Sequence, residues 1–576
     1  MKNVISILLV CLLLAGCGTN TVAEVTTVPA EATLPTAFCG TMPLEDNPVD
    51  YISRFSSETV IFLSDEGITV NGSGETESVF TSHDILCYED RETYDSGNPY
   101  GEGDVHQRHT AQEAAAHTVV NITEPGAYRV SGTLSAGQIR VDLGNAAYFD
   151  PEAVVELILE DADITCTVAP AIVFLNTYEC DGSWSVDSAK AEVDTSAAGA
   201  NLILEGENIV AGSHVAKIYK DQPGEKKLWK QDGAVYSYMS LNVFGPGVLT
   251  IHADNEGLDT ELHLTVNGGD LRIFSDNDGI NTNEDGVSVT TINAGSVHIM
   301  AGLGEEGDGI DSNGYLVING GTVVASANPA ADAGLDADLG SYVNGGTVLA
   351  LGSTMDWAES DSDQVTMNLR FADLQSSGSA IVVSTADGTT VFAYDPSEDE
   401  ILAENTRRYM GAVISCPGFR QGDSYLVYLD GTLTGEETDG MYTAVTAYEG
   451  GIQMGYTGTD VDMGGFPGLE RPQVTDGEMP AMPEGFEPGE MPEDGFGGGR
   501  GQRPQGNPEG MTPPEGFDGE MPTMPEGETF PRAEMPKGSF GSPGEGGMQP
   551  DTPGGEVSTE FYMNDKVNAF SGVIAA

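Results

Sequence analysis

The residues best suited to chemistry lie in four short acidic turns in the middle of the chain. Each turn places Asp or Asn two positions after a glycine, and three of the four also place an acid directly before that glycine. The turns read Glu256-Gly-Leu-Asp259, Asp278-Gly-Ile-Asn281, Asp308-Gly-Ile-Asp311 and Ala333-Gly-Leu-Asp336. Carboxylate and amide oxygens are donors that Ca²⁺ prefers, and paired carboxylates are also what glycoside hydrolysis uses.

A second motif, Asn-Gly-Gly or a close variant, alternates with the acidic turns and sets their spacing. Its last glycines are Gly269, Gly295, Gly321 and Gly346, which recur every 26, 26 and 25 residues. A fixed period in this range is typical of a solenoid, in which short strands stack to bury their inward faces. We therefore predict an all-β parallel β-helix, with less regular β-rich caps and a long disordered insertion.

Stacking would place the acidic turns above one another at strand spacing, about 4.8 Å. Like charges at that distance repel by about 3 kcal/mol per pair at an effective dielectric of 20. Asn in place of Asp, as at Asn281, reduces the repulsion, and a cation between turns would remove it. The sequence thus predicts calcium, while the alternative is that Asp-Gly and Asn-Gly only turn corners.

The excess of acidic over basic residues limits the classes of partner that the protein is expected to bind. Lys and Arg number 23 against 91 Asp and Glu, for a formal net charge of -68 and a pI near 4.1. Such a surface repels nucleic acid and anionic lipid and attracts divalent cations, so no nucleic-acid partner is expected. The alternative explanation is that acidity only keeps a secreted protein soluble.

The N-terminus predicts export. Lys2 precedes an apolar run from Val4 to Leu14, which is too short to span a bilayer and fits a signal-peptide core. The Leu14-Ala-Gly-Cys17 that follows resembles a bacterial lipoprotein box, which implies lipidation of Cys17 and attachment to the membrane. An ordinary secretory signal is the alternative, and both place the protein outside the cytoplasm.

Composition divides the chain into six segments. The fifth of them, residues 457–555, repeats Glu-Met-Pro and has too few apolar residues to form a core. The predicted segments are a signal peptide over 1–16, a lipidated Cys and tether over 17–50, β-rich coils or a cap over 51–235, the repeat-bearing β-helix and C-terminal coils over 236–456, a disordered tract over 457–555 and a strand-like segment over 556–576.

Two upstream motifs extend the pattern of the acidic turns. They are Gly126-Ala-Tyr-Arg-Val-Ser-Gly-Thr-Leu-Ser-Ala-Gly-Gln-Ile and Asp232-Gly-Ala-Val-Tyr-Ser. With the four turns, the chain resembles, over roughly residues 60–450, a bacterial family of secreted or lipid-anchored carbohydrate-binding domain proteins found notably in clostridia.

The resemblance implies a right-handed parallel β-helix shaped like a pectate lyase, calcium binding, and attachment to plant-type polysaccharides such as cellulose or pectic chains. At matching motif positions it implies six calcium ligands: Asp259, Asp278, Asn281, Asp308, Asp311 and Asp336. Ala333 stands where the family usually has an acid, so a fourth site built like the others is not expected.

Catalysis is less favoured than binding. A lyase needs a base beside the uronate, and Arg272 is the only Arg or Lys in 245–352. His252, His263 and His298 form no Ser/His/Asp pattern. We therefore predict a non-catalytic, calcium-dependent polysaccharide-binding protein anchored outside the cell. The alternatives are a calcium-dependent lyase or depolymerase, and a structural adhesin or cell-envelope spacer.

The sequence does not identify the carbohydrate-binding residues. Polyuronates would need calcium as a bridge to so acidic a surface, whereas a neutral glucan could stack on aromatic side chains. Tyr315, Tyr342 and Trp357 are available for stacking, but their scatter in sequence favours core or surface packing instead.

Overall fold

A computed structural model of the chain describes the part that carries the repeat and its flanks. The chain divides into two compact units, Met1–Thr36 and Ala37–Ala576, and every described residue belongs to the second. The described residues are 38–42, 49–85, 109, 111–182, 189–215, 231–304, 306–328, 332–353, 357–376, 378–397, 408–459 and 557–576. The predicted signal peptide, Cys17, most of the tether and nearly all of the tract over 457–555 lie outside them.

The N-terminal third is built from short strands of aliphatic and aromatic residues bounded by turn residues, as the sequence pattern predicts. Helix α1 spans Ala111–Ala115, and a 3-10 helix spans Asn145–Phe149. The strands are β1 Gly40–Thr41, β2 Glu58–Leu63, β3 Thr69–Val70, β4 Val79–Ser82, β5 Thr118–Ile122, β6 Gly126–Leu134, β7 Gly137–Asp142, β8 Val155–Cys166, β9 Ile172–Asn176, β10 Ala200–Glu205 and β11 Glu207–Gly212.

The repeat region contains the strands that carry the acidic turns. They are β12 Gly233–Ser237, β13 Leu241–Phe244, β14 Val248–Ala253, β15 Glu256–Thr260, β16 Leu264–Ser275, β17 Ile280–Thr282, β18 Val289–Met300, β19 Ile310–Ser312, β20 Tyr315–Ile318, β21 Thr322–Ser326, β22 Leu335–Ala337, β23 Gly340–Val343 and β24 Thr347–Gly352.

The C-terminal part forms hairpins rather than further repeats. Its strands are β25 Thr366–Gln375, β26 Ile381–Ser384, β27 Thr390–Tyr394, β28 Tyr409–Ser415, β29 Ser424–Leu429, β30 Thr432–Thr438, β31 Met441–Glu449, β32 Ile452–Gly455, β33 Phe561–Tyr562 and β34 Val567–Ala575. The last strand, β34, pairs parallel with β25, so the end of the chain packs on the main body.

The strands assemble into two sheets. The smaller has nine strands in the order β22-β19-β17-β15-β12-β9-β7-β5-β4, all parallel except the β4–β5 pair. The larger has 25 strands and mixes parallel pairs in the repeat region with antiparallel pairs after β24.

The core lies between these strands as columns of aliphatic side chains. Leu258, Ile280, Ile310 and Leu335 face one another in register on successive strands and are at most 1% exposed. Side chains alternate along a strand, so the next residue of each strand points away from this column. Those next residues are the Asp and Asn of the acidic turns.

The predicted right-handed parallel β-helix with caps is wrong as a description of the fold. The protein is all-β, but it combines a mixed 25-stranded sheet, a nine-stranded sheet and a closed barrel of six parallel strands, not a clear solenoid. The regular period spans only residues 245–352. After β24 the strands pair antiparallel except for β25 with β34, because several connections there are short hairpins such as β30–β31.

The predicted Gly turn separates two strands in the last two repeats, between β20 and β21 and between β23 and β24, but not in the first two. β16 and β18 each run for 12 residues through that turn, and their pairing shifts register at Asn267. The shift is a bulge, which bends the strand without ending it. A period in the sequence does not distinguish such a bulge from a turn between two strands.

Two further findings concern covalent and membrane features of the described residues. No disulfide joins the cysteines that the structure describes, Cys39, Cys166, Cys180 and Cys416. Within the described ranges, no helix is long and apolar enough to cross a bilayer.

Candidate functional site

The acidic turns are formed by short strands whose first residues must approach a neighbour closely. A β-carbon at Gly279 would lie 2.2 Å from Cγ2 of Ile299 and 2.6 Å from the carbonyl oxygen of Gly309. Only glycine fits there, so each turn holds its flanking acids at a fixed height against the next strand. The motif thus positions side chains as well as turning the chain.

Four of the six candidate ligands form one row, here called the acidic ladder: Asp259, Asn281, Asp311 and Asp336. They are in direct register across β15, β17, β19 and β22. Tyr236 occupies the same register position on β12, so an aromatic residue closes one end of the ladder. Asp259, Asn281 and Asp311 are buried, and Asp336 is half-buried.

The two remaining candidates, Asp278 and Asp308, lie at the start of their turns and tie successive strands together. An oxygen of Asp278 accepts a 2.7 Å hydrogen bond from the backbone N–H of Asp308. An oxygen of Asp308 likewise accepts a 2.6 Å bond from the N–H of Ala333. Ala333 therefore continues the pattern with its backbone alone, which explains how the fourth turn keeps its shape without an acid.

These carboxyl groups are held in an environment that disfavours their charge. Burial, and then the charges of Asp311, Glu256 and Asp308, raise the pKa of Asp278 well above 3.8. Burial, and then the charges of Asp336 and Asp311, raise the pKa of Asp308 in the same way. A bound cation would relieve the same repulsion that a proton relieves here.

Asn281 sits among these acids and offers a donor and an acceptor. Its Nδ2 donates to Oε1 of Glu256 at 3.1 Å and lies 3.5 Å from Oδ2 of Asp278. Its Oδ1 is buried and accepts no hydrogen bond from the residues that the structure describes. An unsatisfied buried oxygen beside several carboxylates is the kind of donor set that Ca²⁺ takes.

The ladder is nevertheless not a preformed cage. Within the described part of the chain, no three Asp, Glu, His or Cys side chains converge closely enough to hold a metal ion. The donor chemistry fits calcium, since all the groups are oxygens, but Asn281 Oδ1 and backbone carbonyls would have to complete the coordination. Asp259, Asp278, Asn281, Asp308, Asp311 and Asp336 thus stay predicted ligands.

A second ladder, which sequence analysis did not identify, is formed by the Asn of the Gly-Gly motif. Nδ2 of Asn293 donates to Oδ1 of Asn267 at 2.8 Å, and Asn319 donates to Asn293 at 2.9 Å. Asn344 continues the chain to Asn319 at 2.9 Å. The 26-residue recurrence of Asn was the available signal, and the amides stabilise the stacking of the repeats.

Arg272, the only Arg or Lys of the repeat, lies on β16 in the larger sheet, whereas the acidic ladder lies on the nine-stranded sheet. Arg272 forms ion pairs with Asp270 at 2.9 Å and with Asp439 at 3.1 Å. A lyase base must reach its substrate near the bound metal. The guanidinium of Arg272 is held by two carboxylates, one on β16 and one in the β30–β31 turn.

Among the described histidines, His214 makes an arrangement that the sequence did not reveal. Nδ1 of His214 contacts Oδ1 of Asp254 at 2.8 Å, and the Ser213 hydroxyl donates to Oδ2 of Asp254 at 2.6 Å. Burial lowers the pKa of His214, but Asp254, then Asp232 and Glu256, outweigh it, so the pKa lies above 6.5. Ser and His both bind the same carboxylate, so no Ser–His nucleophile pair is formed.

Comparison with known sequences points to one kind of protein. Residues 116–356 match the sequence profile of a family described as carbohydrate-binding domain-containing proteins. A protein of that description from Acetivibrio thermocellus is 28% identical over 155 residues, which is 27% of this chain and 44% of the relative. The chain thus matches less than half the length of that relative. The family suggested by the sequence resemblance is supported over the matched residues.

Two solved structures show weaker likeness. The polysaccharide lyase-like protein from C. thermocellum is 19% identical, with a TM-score of 0.28, over 50% of this chain and 92% of that one. The chitinase ChiW from Paenibacillus sp. is 13% identical, with a TM-score of 0.11, over 58% of this chain and 24% of that one. At these scores neither likeness bears on the fold or the activity of this chain.

Proposed function

We propose that this protein is a non-catalytic, calcium-dependent polysaccharide-binding protein held outside the cell by a lipid on Cys17. The observation that carries the proposal is the match of residues 116–356 to a carbohydrate-binding domain family. That range contains the whole acidic ladder and the strands stacked around it. Plant cell-wall polysaccharides such as cellulose or pectin are the proposed ligands.

Calcium is proposed as a structural partner of the acidic ladder. It is supported by the in-register oxygens, the raised pKa of Asp278 and Asp308, and the buried Oδ1 of Asn281. When bound, the ion would supply positive charge between strands that otherwise carry like charges. Asp278, Asn281 and Asp308 would then hold successive turns at a fixed spacing, and the sugar-binding surface outside them would keep its shape.

A binding role is favoured over lyase chemistry by the placement of Arg272. It lies on the larger sheet, not on the nine-stranded sheet of the ladder, and forms ion pairs with Asp270 and Asp439. Proton abstraction beside a uronate needs a base within hydrogen-bond reach of the substrate, either directly or through one water. The proposal therefore assigns the acids to stability and to the shape of a display surface.

The test is a pull-down of the full-length chain on insoluble cellulose and on pectin, with calcium and again with chelator. Retention that disappears on chelation supports the proposal. Retention that ignores chelation would contradict the calcium dependence, and no retention on either polysaccharide would contradict the binding function.

A parallel assay separates the binding protein from the enzyme. Polygalacturonate is incubated with the protein and calcium, and the absorbance of unsaturated uronates is followed. No change is expected. A steady rise would replace the proposal with a calcium-dependent lyase, and binding to neither polysaccharide with no rise would favour an adhesin or spacer.

A further inference from the structure

The fold brings together three aromatic residues that are scattered in the sequence. Tyr315 on β20 is in register with Gly340 on β23, and Val317 with Tyr342. A parallel bridge joins Ser341 to Ala358, which places Trp357 beside Gly340 and Glu359 beside Tyr342. In-register residues of parallel strands point to the same side of a sheet. We call the resulting group, Tyr315, Gly340, Tyr342, Trp357 and Glu359, the aromatic notch.

The notch faces away from the core. Leu316, Val343 and Ala358 alternate with its members along the same strands, and all three belong to the main hydrophobic core. The four side chains of the notch, in contrast, are each half-buried and so partly open to solvent. Three large aromatic residues on one outward face are therefore not explained by core packing.

Gly340 leaves room in the notch for a neighbouring side chain. It lies between Tyr315 and Trp357 and has no side chain, so a gap separates the two aromatic residues. The carboxylate of Glu359 reaches into this gap, because a β-carbon at Gly340 would lie 2.7 Å from its Oε1. The rings of Tyr315 and Tyr342 are 6.2 Å apart and inclined at 48°.

Acidic groups surround the phenol of Tyr342. Burial, and then the charges of Asp361 and Glu359, raise the pKa of Tyr342 above 10.0. The notch therefore combines apolar ring faces with carboxylates that accept hydrogen bonds but cannot donate them. An anionic ligand would be repelled here, both by these groups and by the field of a strongly acidic chain.

We propose that the aromatic notch is the subsite that binds a neutral polysaccharide, a hexopyranose chain whose C–H faces stack on Tyr342 and Trp357. Glu359, whose carboxylate occupies the gap at Gly340, accepts hydrogen bonds from sugar hydroxyls. Ligand sites of this kind are mostly apolar and aromatic, with a few polar groups that fix orientation. The inference rests on the proposed function and deepens it, since it selects neutral glycans over uronates.

The test titrates the full-length, calcium-loaded protein with cellohexaose, a soluble neutral oligosaccharide, and measures affinity by calorimetry. Tyr342→Ala removes a stacking face and is expected to weaken binding roughly tenfold, which corresponds to about 1.4 kcal/mol. Glu359→Gln keeps the shape and removes the charge, and is expected to weaken binding roughly threefold. Tyr562→Ala, at an exposed tyrosine on β33, is the matched control and is expected to leave binding unchanged.

A local readout uses the few tryptophans of the chain, which number 3. In a Trp184→Phe, Trp229→Phe background only Trp357 remains, and cellohexaose is expected to shift its emission to the blue. If Tyr342→Ala does not fold, as judged by its melting curve, this shift and Glu359→Gln still decide the question.

The outcomes distinguish a failure of the notch proposal from a failure of the proposed polysaccharide-binding function. Wild-type retention on polysaccharide with unchanged affinity in Tyr342→Ala and Glu359→Gln, or with silent Trp357 emission, would overturn the notch and leave the proposed function standing. Stronger binding to polygalacturonate fragments than to cellohexaose would also overturn it. If the wild type binds no polysaccharide at all, both proposals are wrong.

Discussion

At the scale of single residues, Asn281 has the most informative position. It stands between Asp259 and Asp311 in the acidic ladder and donates from its amide to Glu256. An Asp in its place would add a charge to a row that already disfavours charge. The amide therefore keeps the ladder stable and leaves an oxygen available to a cation.

Asn281→Asp should lower the free energy of unfolding by about 6 kcal/mol in chelator, about 3 kcal/mol for each of the two charges at strand spacing, Asp259 and Asp311. Millimolar calcium should restore most of that loss. Urea unfolding with and without chelator measures both values. The matched control is Asn319→Asp, the same change at an exposed position of the asparagine ladder, for which calcium should make little difference. Equal responses of the two variants would contradict a cation at the acidic ladder.

His214 should make stability depend on pH. Its pKa is raised in the folded protein, and it faces Asp254, Asp232, Glu256 and His109. The stability it contributes is fully present below pH 6.5 and is lost as the pH rises through the folded pKa. The difference in unfolding free energy between wild type and His214→Gln should therefore shrink between pH 5.5 and pH 8.5.

His252→Gln supplies a control of opposite sign. Burial lowers the pKa of His252, which stacks on Phe274, so wild type should gain stability relative to this variant as the pH rises. Parallel pH curves for wild type and His214→Gln would rule out the assignment of the charged pair to His214 and Asp254.

At the scale of elements, the Gly-Gly bends fix how closely successive strands approach. Gly295 has φ 88°, and a β-carbon there would lie 2.5 Å from the carbonyl oxygen of Gly269. The bend requires glycine for its backbone conformation and for the space beside it. Gly321 and Gly346 meet the same two requirements, whereas Gly269 has a positive φ and a side chain, not backbone, as its nearest neighbour.

Gly295→Ala should lower the free energy of unfolding by about 3 kcal/mol, since strain at positive φ and a clash with backbone add together. Gly144→Ala isolates the first effect, because Gly144 has φ 83° and nothing lies within 4 Å of the added carbon. It should cost less than the Gly295 variant, about 1 to 2 kcal/mol. Thermal and urea unfolding of both variants check the difference, and equal losses would show that the close approach is not important.

The sequence predicted the strands of the repeat better than it predicted how all the strands pair into sheets. The alternation around Ile280 and Ile310 and the constant spacing of the turns correctly implied parallel strands with acids in register, because a regular repeat leaves little freedom in pairing. Antiparallel pairing of β25 with β28 depends on tertiary contacts that no local pattern encodes. The sequence did not predict the aromatic notch, because Trp357 lies outside the repeat. Trp357 is placed beside Gly340 only by the bridge between Ser341 and Ala358.

At the scale of the whole molecule, charge and architecture act together. A formal charge of -68 keeps anionic polymers away unless a cation intervenes, while neutral chains meet no such barrier. The acidic ladder is mostly buried and the aromatic notch is partly exposed, so in our proposal calcium at the ladder maintains the shape and the aromatic residues bind the ligand. A single binding experiment, done with and without calcium, should therefore report on both the acidic ladder and the aromatic notch.

The most direct test is a binding isotherm of the full-length protein on insoluble cellulose, measured with calcium, after chelation, and after calcium is restored. The account predicts saturable retention with calcium, loss of retention on chelation and recovery when calcium returns, without release of sugar products. Retention no greater than on an inert resin in all three conditions would contradict it.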